Sequence, residues 1–131
     1  MKQLLLGLVL VVSSHFAIAK TEGPALEIVN KRMQAYNEHD VNKFLATYSE
    51  EVQIFNYPDT AIGKKGKGHL QSIFEPMFEK KSVRVEALSQ IEYGNYVVNE
   101  EIVYYEGVAT RYVSIYEVKD GLIFSVRFLR K

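Results

Sequence analysis

From Ser82 onward the hydrophobic pattern of this chain alternates with a period of two, through Ser82 to Tyr93, Tyr96 to Tyr105, Val108 to Val118 and Leu122 to Leu129. Upstream of that point the period is helical. Leu26, Val29, Met33 and Tyr36 mark a first helix opened by Gly23-Pro24 and ending near Asn37. Asp40 reads as the N-cap of a short second helix with Val41, Phe44, Leu45 and Tyr48 on one face. One early strand, Val52 to Tyr57, stops at Pro58, and a glycine- and lysine-rich loop leads to a third helix carrying Leu70, Ile73, Phe74, Met77 and Phe78. Pro76 should kink or shorten that helix. Helices gathered ahead of an antiparallel meander predict an α+β domain in which helices cover one face of a curved sheet, and they exclude a βαβ nucleotide-binding fold.

The turns predict which side chains share a face. A hairpin at Glu106-Gly107 pairs Tyr105 with Val108, Val103 with Thr110, Glu101 with Tyr112 and Asn99 with Ser114. A three-residue loop, Lys119 to Gly121, pairs Val118 with Leu122 and sets Tyr112, Ser114 and Tyr116 against Phe128, Val126 and Phe124. One face then joins these aromatics to Val103, Asn99 and Glu101. The other presents Ile102, Tyr104, Val113 and Ile115, an apolar patch that helices on the first face cannot cover and that suits a subunit interface.

At the N-terminus, Lys2, the apolar run Leu4 to Val12 and the small-residue stretch Ala17-Ile18-Ala19 have the layout of a secretory signal peptide. Cleavage after Ala19 would leave a mature domain of residues 20–131, secreted or periplasmic. The run is too short to span a bilayer. Sixteen basic and sixteen acidic residues cancel, which gives no footprint for nucleic acid or an anionic membrane. Without cysteine there is neither a disulfide framework nor a thiol nucleophile, and His39 and His69 have no companions at zinc-ligand spacing, so no metal or cofactor is expected. The Lys64 to Gly68 loop lacks phosphate-loop spacing and reads as a solvated charge run.

Ala35-Tyr36-Asn37-Glu38-His39-Asp40 leading into Phe44-Leu45, Ser49-Glu50-Glu51-Val52, Tyr96-Val97-Val98, and the closing run Ile115 to Ile123 resemble the nuclear transport factor 2-like superfamily. Within it, the chain is similar to the SnoaL-like and ketosteroid-isomerase-like proteins. The resemblance extends over the whole expected mature chain. It implies a cone-shaped curved sheet, the cystatin-like roll, closed by three N-terminal helices around a pocket, and often a homodimer through the outer sheet face. Ketosteroid isomerases use a carboxylate base, a helix tyrosine and a late-strand acid. Aligned without gaps from Asn37 to Asp40, those positions fall on Asn56, Arg32 and Ser114. Asparagine cannot abstract a carbon-bound proton, so steroid isomerisation by that machinery is not expected.

Glu101 is the foremost candidate, a carboxylate among aromatic side chains with Tyr112 opposite as a possible donor. It could act as acid or base, anchor a ligand, or simply pair with Arg32. Asn56, Asn99 and Ser114 could orient a carbonyl or hydroxyl group, and Arg32, Tyr48, Phe74, Phe78, Phe124 and Phe128 could line the pocket. Three functions follow: a binder of a small apolar or carbonyl-bearing ligand; a cofactor-free isomerase, cyclase or dehydratase using Glu101 and Tyr112; or a protein-interaction module using the outer face. Glu101→Gln is expected to alter function with little change in stability, and Glu100→Gln to be silent.

Overall fold

The computed structural model describes residues 22–131; the expected leader lies outside them. The helices are α1 (Pro24–Glu38), α2 (Val41–Ala46) and α3 (Lys67–Glu79). The strands are β1 (Tyr48–Asn56), β2 (Thr60–Ala61), β3 (Val83–Tyr93), β4 (Tyr96–Tyr105), β5 (Val108–Lys119) and β6 (Leu122–Leu129). They form one curved sheet in the order β2-β1-β6-β5-β4-β3. Only β1 and β6 run parallel; the other neighbours are antiparallel. Among the described residues no helix is long and apolar enough to cross a membrane.

The helix ends follow their local chemistry. Pro24 occupies the first turn of α1, and the free amides of Gly23 and Leu26 donate to the Glu92 carboxylate of β3 at 2.9 and 2.6 Å. His39 ends α1 in the left-handed conformation, and Asp40 caps α2 by accepting from the Lys43 amide at 3.0 Å. Pro76 sits near the end of α3, which still continues to Glu79. The second helix stops earlier than its period suggests, because the sheet takes over its backbone. The Ile123 amide donates to the Thr47 carbonyl, so Tyr48 begins β1 and is not helical. Thr60-Ala61 adds a short edge strand that carries no sequence signal of its own.

The Asn37 side chain explains part of the Tyr36 to Asp40 motif. Its amide donates to the Val85 carbonyl at 2.9 Å and accepts from the Val85 amide at 2.8 Å, while His39 Nε2 lies 2.7 Å from the Val83 carbonyl. Strand β3 is an edge, and these two residues occupy otherwise open backbone groups at its start, those of Val83 and Val85. Asn37→Ala is therefore expected to cost about 2 kcal/mol, two hydrogen bonds' worth, as a lower urea midpoint with an unchanged slope.

The β4–β5 register is the one that the Glu106-Gly107 turn predicts, including Glu101 opposite Tyr112 and Asn99 opposite Ser114. The β5–β6 hairpin differs. Asp120 and Gly121 alone form the loop, both at positive φ, so Lys119 pairs with Leu122 and Val118 with Ile123. A bulge at Glu117/Val118 then sets Ser114 against Phe128 and Tyr116 against Val126. Val126 and Phe128 keep their expected face, but Ile123 takes the core place foreseen for Phe124. Phe124 instead lies under the Lys119 ammonium, 4.0 Å from its ring centre.

Candidate functional site

Between the helices and the inner sheet face lies a cavity of about 320 Å³, within the size range of small-ligand pockets. Tyr36 of α1, Phe74 of α3, Val85 of β3, Val103 of β4 and Phe128 of β6 supply apolar wall, with Ile62 beside them. Arg32 and Glu101, 5% and 1% exposed, form a buried polar floor. Asn56, Tyr112 and the exposed Arg130 complete the lining.

The floor is a built network. Glu101 accepts three hydrogen bonds: from Asn99 Nδ2 at 3.0 Å and the Tyr116 hydroxyl at 2.6 Å on Oε1, and from the Ser114 hydroxyl at 2.9 Å on Oε2. Asn99, Glu101, Ser114 and Tyr116 meet because all four point to one face of two paired strands. Arg32 comes from α1 one turn before Tyr36. Its Nε donates to the Tyr48 hydroxyl at 2.9 Å, and its guanidinium stands 5.2 to 5.6 Å from the ring centres of Tyr36, Phe44 and Tyr116. Its Nη1 is buried without a hydrogen-bond partner. Among the described residues no carboxylate oxygen comes within 4.0 Å of the guanidinium, so Arg32 and Glu101 feel each other through space without forming a contact pair.

Burial opposes the Arg32 charge, but Tyr116, Tyr48 and Glu101 more than offset it and hold the guanidinium's proton more firmly than usual. Burial also pushes the Tyr36 hydroxyl up to about 12 against the opposing pull of Arg32, and raises Tyr48 and Tyr116 as well. The phenols are therefore neutral over the physiological range, Tyr116 donating to Glu101 and Tyr48 accepting from Arg32. Their linkage has a definite sign. The folded chain holds these protons above the ordinary tyrosine pKa of about 10, so their stabilising contribution is complete below that pH and falls as pH rises towards 12. Urea midpoints measured across this window are expected to drop steadily; a flat profile would contradict the buried-phenol arrangement.

Of the residues singled out from the sequence, Arg32, Asn56, Phe74, Glu101, Tyr112 and Phe128 line the cavity together. Asn99 and Ser114 stand behind Glu101 as its donors. Tyr48 holds Arg32, and Phe78 packs in the aromatic core with Tyr36 and Phe44. Phe124 is elsewhere, on account of the bulge. The phenol bonded to Glu101 is Tyr116, not Tyr112, whose ring instead meets Phe128 edge-on at 5.9 Å. Tyr36, Ile62, Val85, Val103 and Arg130 line the cavity, and Tyr116 bonds Glu101, without having been singled out from the sequence as site members. Signals existed for three of them, since Val103 and Tyr116 share the inner face with Glu101 and Ser114, and Tyr36 lies one helical turn from Arg32. Among the described residues no three histidine or acidic side chains gather as metal ligands.

The SnoaL-like domain model matches residues 29–126. No curated protein matches the sequence. Several solved structures share the fold. A nuclear transport factor 2-like protein of unknown function from Cytophaga hutchinsonii superposes with a TM-score of 0.71 at 18% identity, covering 86% of this chain and 95% of that one. A computationally designed 17-OHP binder gives 0.73 at 21% identity over 85% and 93% of the two chains. An epoxide hydrolase of the LEH-like type from M. tuberculosis gives 0.67 at 18% identity over 82% and 83%. With the family model running from within α1 through α2 and α3 and over nearly the whole sheet, the chain belongs to the SnoaL-like family of the nuclear transport factor 2-like superfamily.

Proposed function

We propose that this protein is an exported binder of a small, largely apolar molecule held in the cone. The observation that carries this reading is the cavity itself: apolar walls over a polar floor whose side chains are already held by hydrogen bonds to their neighbours. Pre-fixed polar groups favour binding because little ordering remains to be done when a ligand enters. The open cavity also supports ligand binding over a role confined to the outer sheet face. There, Ile102, Tyr104, Val113 and Ile115 remain half-buried in the single chain and suit a homodimer contact.

A second reading is cofactor-free acid/base catalysis by Glu101, and its support is that Glu101 lines the cavity. The same cone in a designed 17-OHP binder and in an LEH-like epoxide hydrolase is compatible with either role. Three donors already engage the Glu101 carboxylate, which suits a fixed anchor better than a group that must release and take a proton.

Native mass spectrometry of protein purified from its own host tests the proposal. The expected spectrum shows a chain beginning at Lys20, a dimer, and a small-molecule adduct released on collisional activation. A species without adduct counts against the binder, one retaining Met1 against export, and a monomer at high concentration against the dimer.

A further inference from the structure

We propose that the molecule held in the cavity is a monocarboxylate with a small apolar body, its carboxylate taken by Arg32 at the inner end. This rests on the reading of the cavity as a ligand site and narrows it to a chemical class. The first observation is Arg32. A guanidinium 5% exposed, with Nη1 lacking a partner and no carboxylate in ion-pair contact, is a buried charge whose hydrogen-bonding capacity is incompletely used. The second is Glu101. Its two oxygens already accept from Asn99, Tyr116 and Ser114, so it offers little to a cationic or donor-rich ligand. The remaining orphan in this cluster, Asn99 Oδ1, is an acceptor, but Asn99 does not line the cavity.

What the cavity leaves free is therefore donor-rich and positive. Arg32 and Arg130 set two positive charges against the single one of Glu101, and Asn56 adds an amide to the same lining. A carboxylate supplies one negative charge and several lone pairs, and planar guanidinium matches it in shape. Phe74, Val103 and Phe128 would give a phosphate or sulfate group nothing, but they suit a hydrocarbon or aromatic body. A neutral ketone would meet the guanidinium without answering the excess positive charge of the lining.

The test uses the mature protein and three matched probes, 2-naphthoate, 2-naphthamide and 2-naphthylmethylammonium, titrated calorimetrically. The acid is expected to bind at least about tenfold tighter than the amide, as a charge-assisted contact implies, and the ammonium to bind weakest. In Arg32→Met/Glu101→Gln, which keeps the interior neutral, acid and amide should bind alike. Should that variant not fold, methyl 2-naphthoate, which keeps both oxygens but not the charge, is expected to bind the wild type no tighter than the amide, and an ester as tight as the acid overturns the inference. Equal affinity of acid and amide in the wild type, or a preference for the ammonium, overturns the inference while the binder reading stands. If no probe binds, the inference falls, and the adduct in the native spectrum decides separately whether the binder reading falls with it.

Discussion

Arg32→Ala is expected to lower the unfolding free energy by about 4 kcal/mol and the melting temperature by about 15 °C. Removing one member of a buried charge set leaves the other uncompensated, here Glu101 at 1% exposure. The guanidinium also fills the space between Tyr36, Phe44 and Tyr116 and satisfies Tyr48, so truncation opens a void among rings as well. Arg32→Lys keeps the charge but loses the planar contact with those rings, and its cost should be smaller. A loss under about 1 kcal/mol for Arg32→Ala in a denaturation experiment would mean that the Arg32 environment described above is wrong.

Glu101→Gln carries the second large effect. Sequence reasoning expects a near-neutral change in stability, because glutamine has the shape of glutamate. The structure changes that expectation. Glutamine can keep hydrogen bonds to Tyr116 and Asn99 through its oxygen, and Ser114 can turn to accept from its amide, but the negative charge that balances Arg32 is gone. A loss of about 2 to 3 kcal/mol is expected. Glu100→Gln disturbs only the exposed pair with Arg111 on the opposite face and should stay within about 0.5 kcal/mol. Because the Arg32 and Glu101 substitutions share one interaction, the Arg32→Met/Glu101→Gln double variant should lose less than the two single variants summed. Strict additivity would show the two charges to be independent.

Much of this arrangement is legible in the sequence, and the places where it is not have physical reasons. The Glu106-Gly107 turn places two positive-φ residues in succession, which fixes the β4–β5 register and so puts Glu101 inside and Glu100 outside. The next hairpin also contains a glycine, but whether Lys119 belongs to loop or strand depends on a bulge at Glu117/Val118 that no residue type announces. That one irregularity moves Phe124 out and Ile123 in. Tyr48 looks helical because its spacing from Phe44 and Leu45 is helical, yet pairing of Thr47 with Ile123, a contact distant in sequence, decides its backbone. Tyr116 and Tyr112 share the face, and strand pairing sets Tyr112 opposite Glu101, yet it is the Tyr116 hydroxyl that reaches the carboxylate, while the Tyr112 ring meets Phe128.

Filling the cavity while leaving the floor intact should abolish ligand retention without unfolding the protein. Val103 lines the cavity from β4 and is only half-buried, so Val103→Trp places an indole in existing space and does not force it into packed core. Protein purified from the native host in both forms would be compared by native mass spectrometry, with far-ultraviolet circular dichroism confirming the same fold. A ligand held in the cone gives an adduct on the wild type and none on Val103→Trp at equal folded content; an adduct retained by the filled variant would mean that the ligand sits elsewhere.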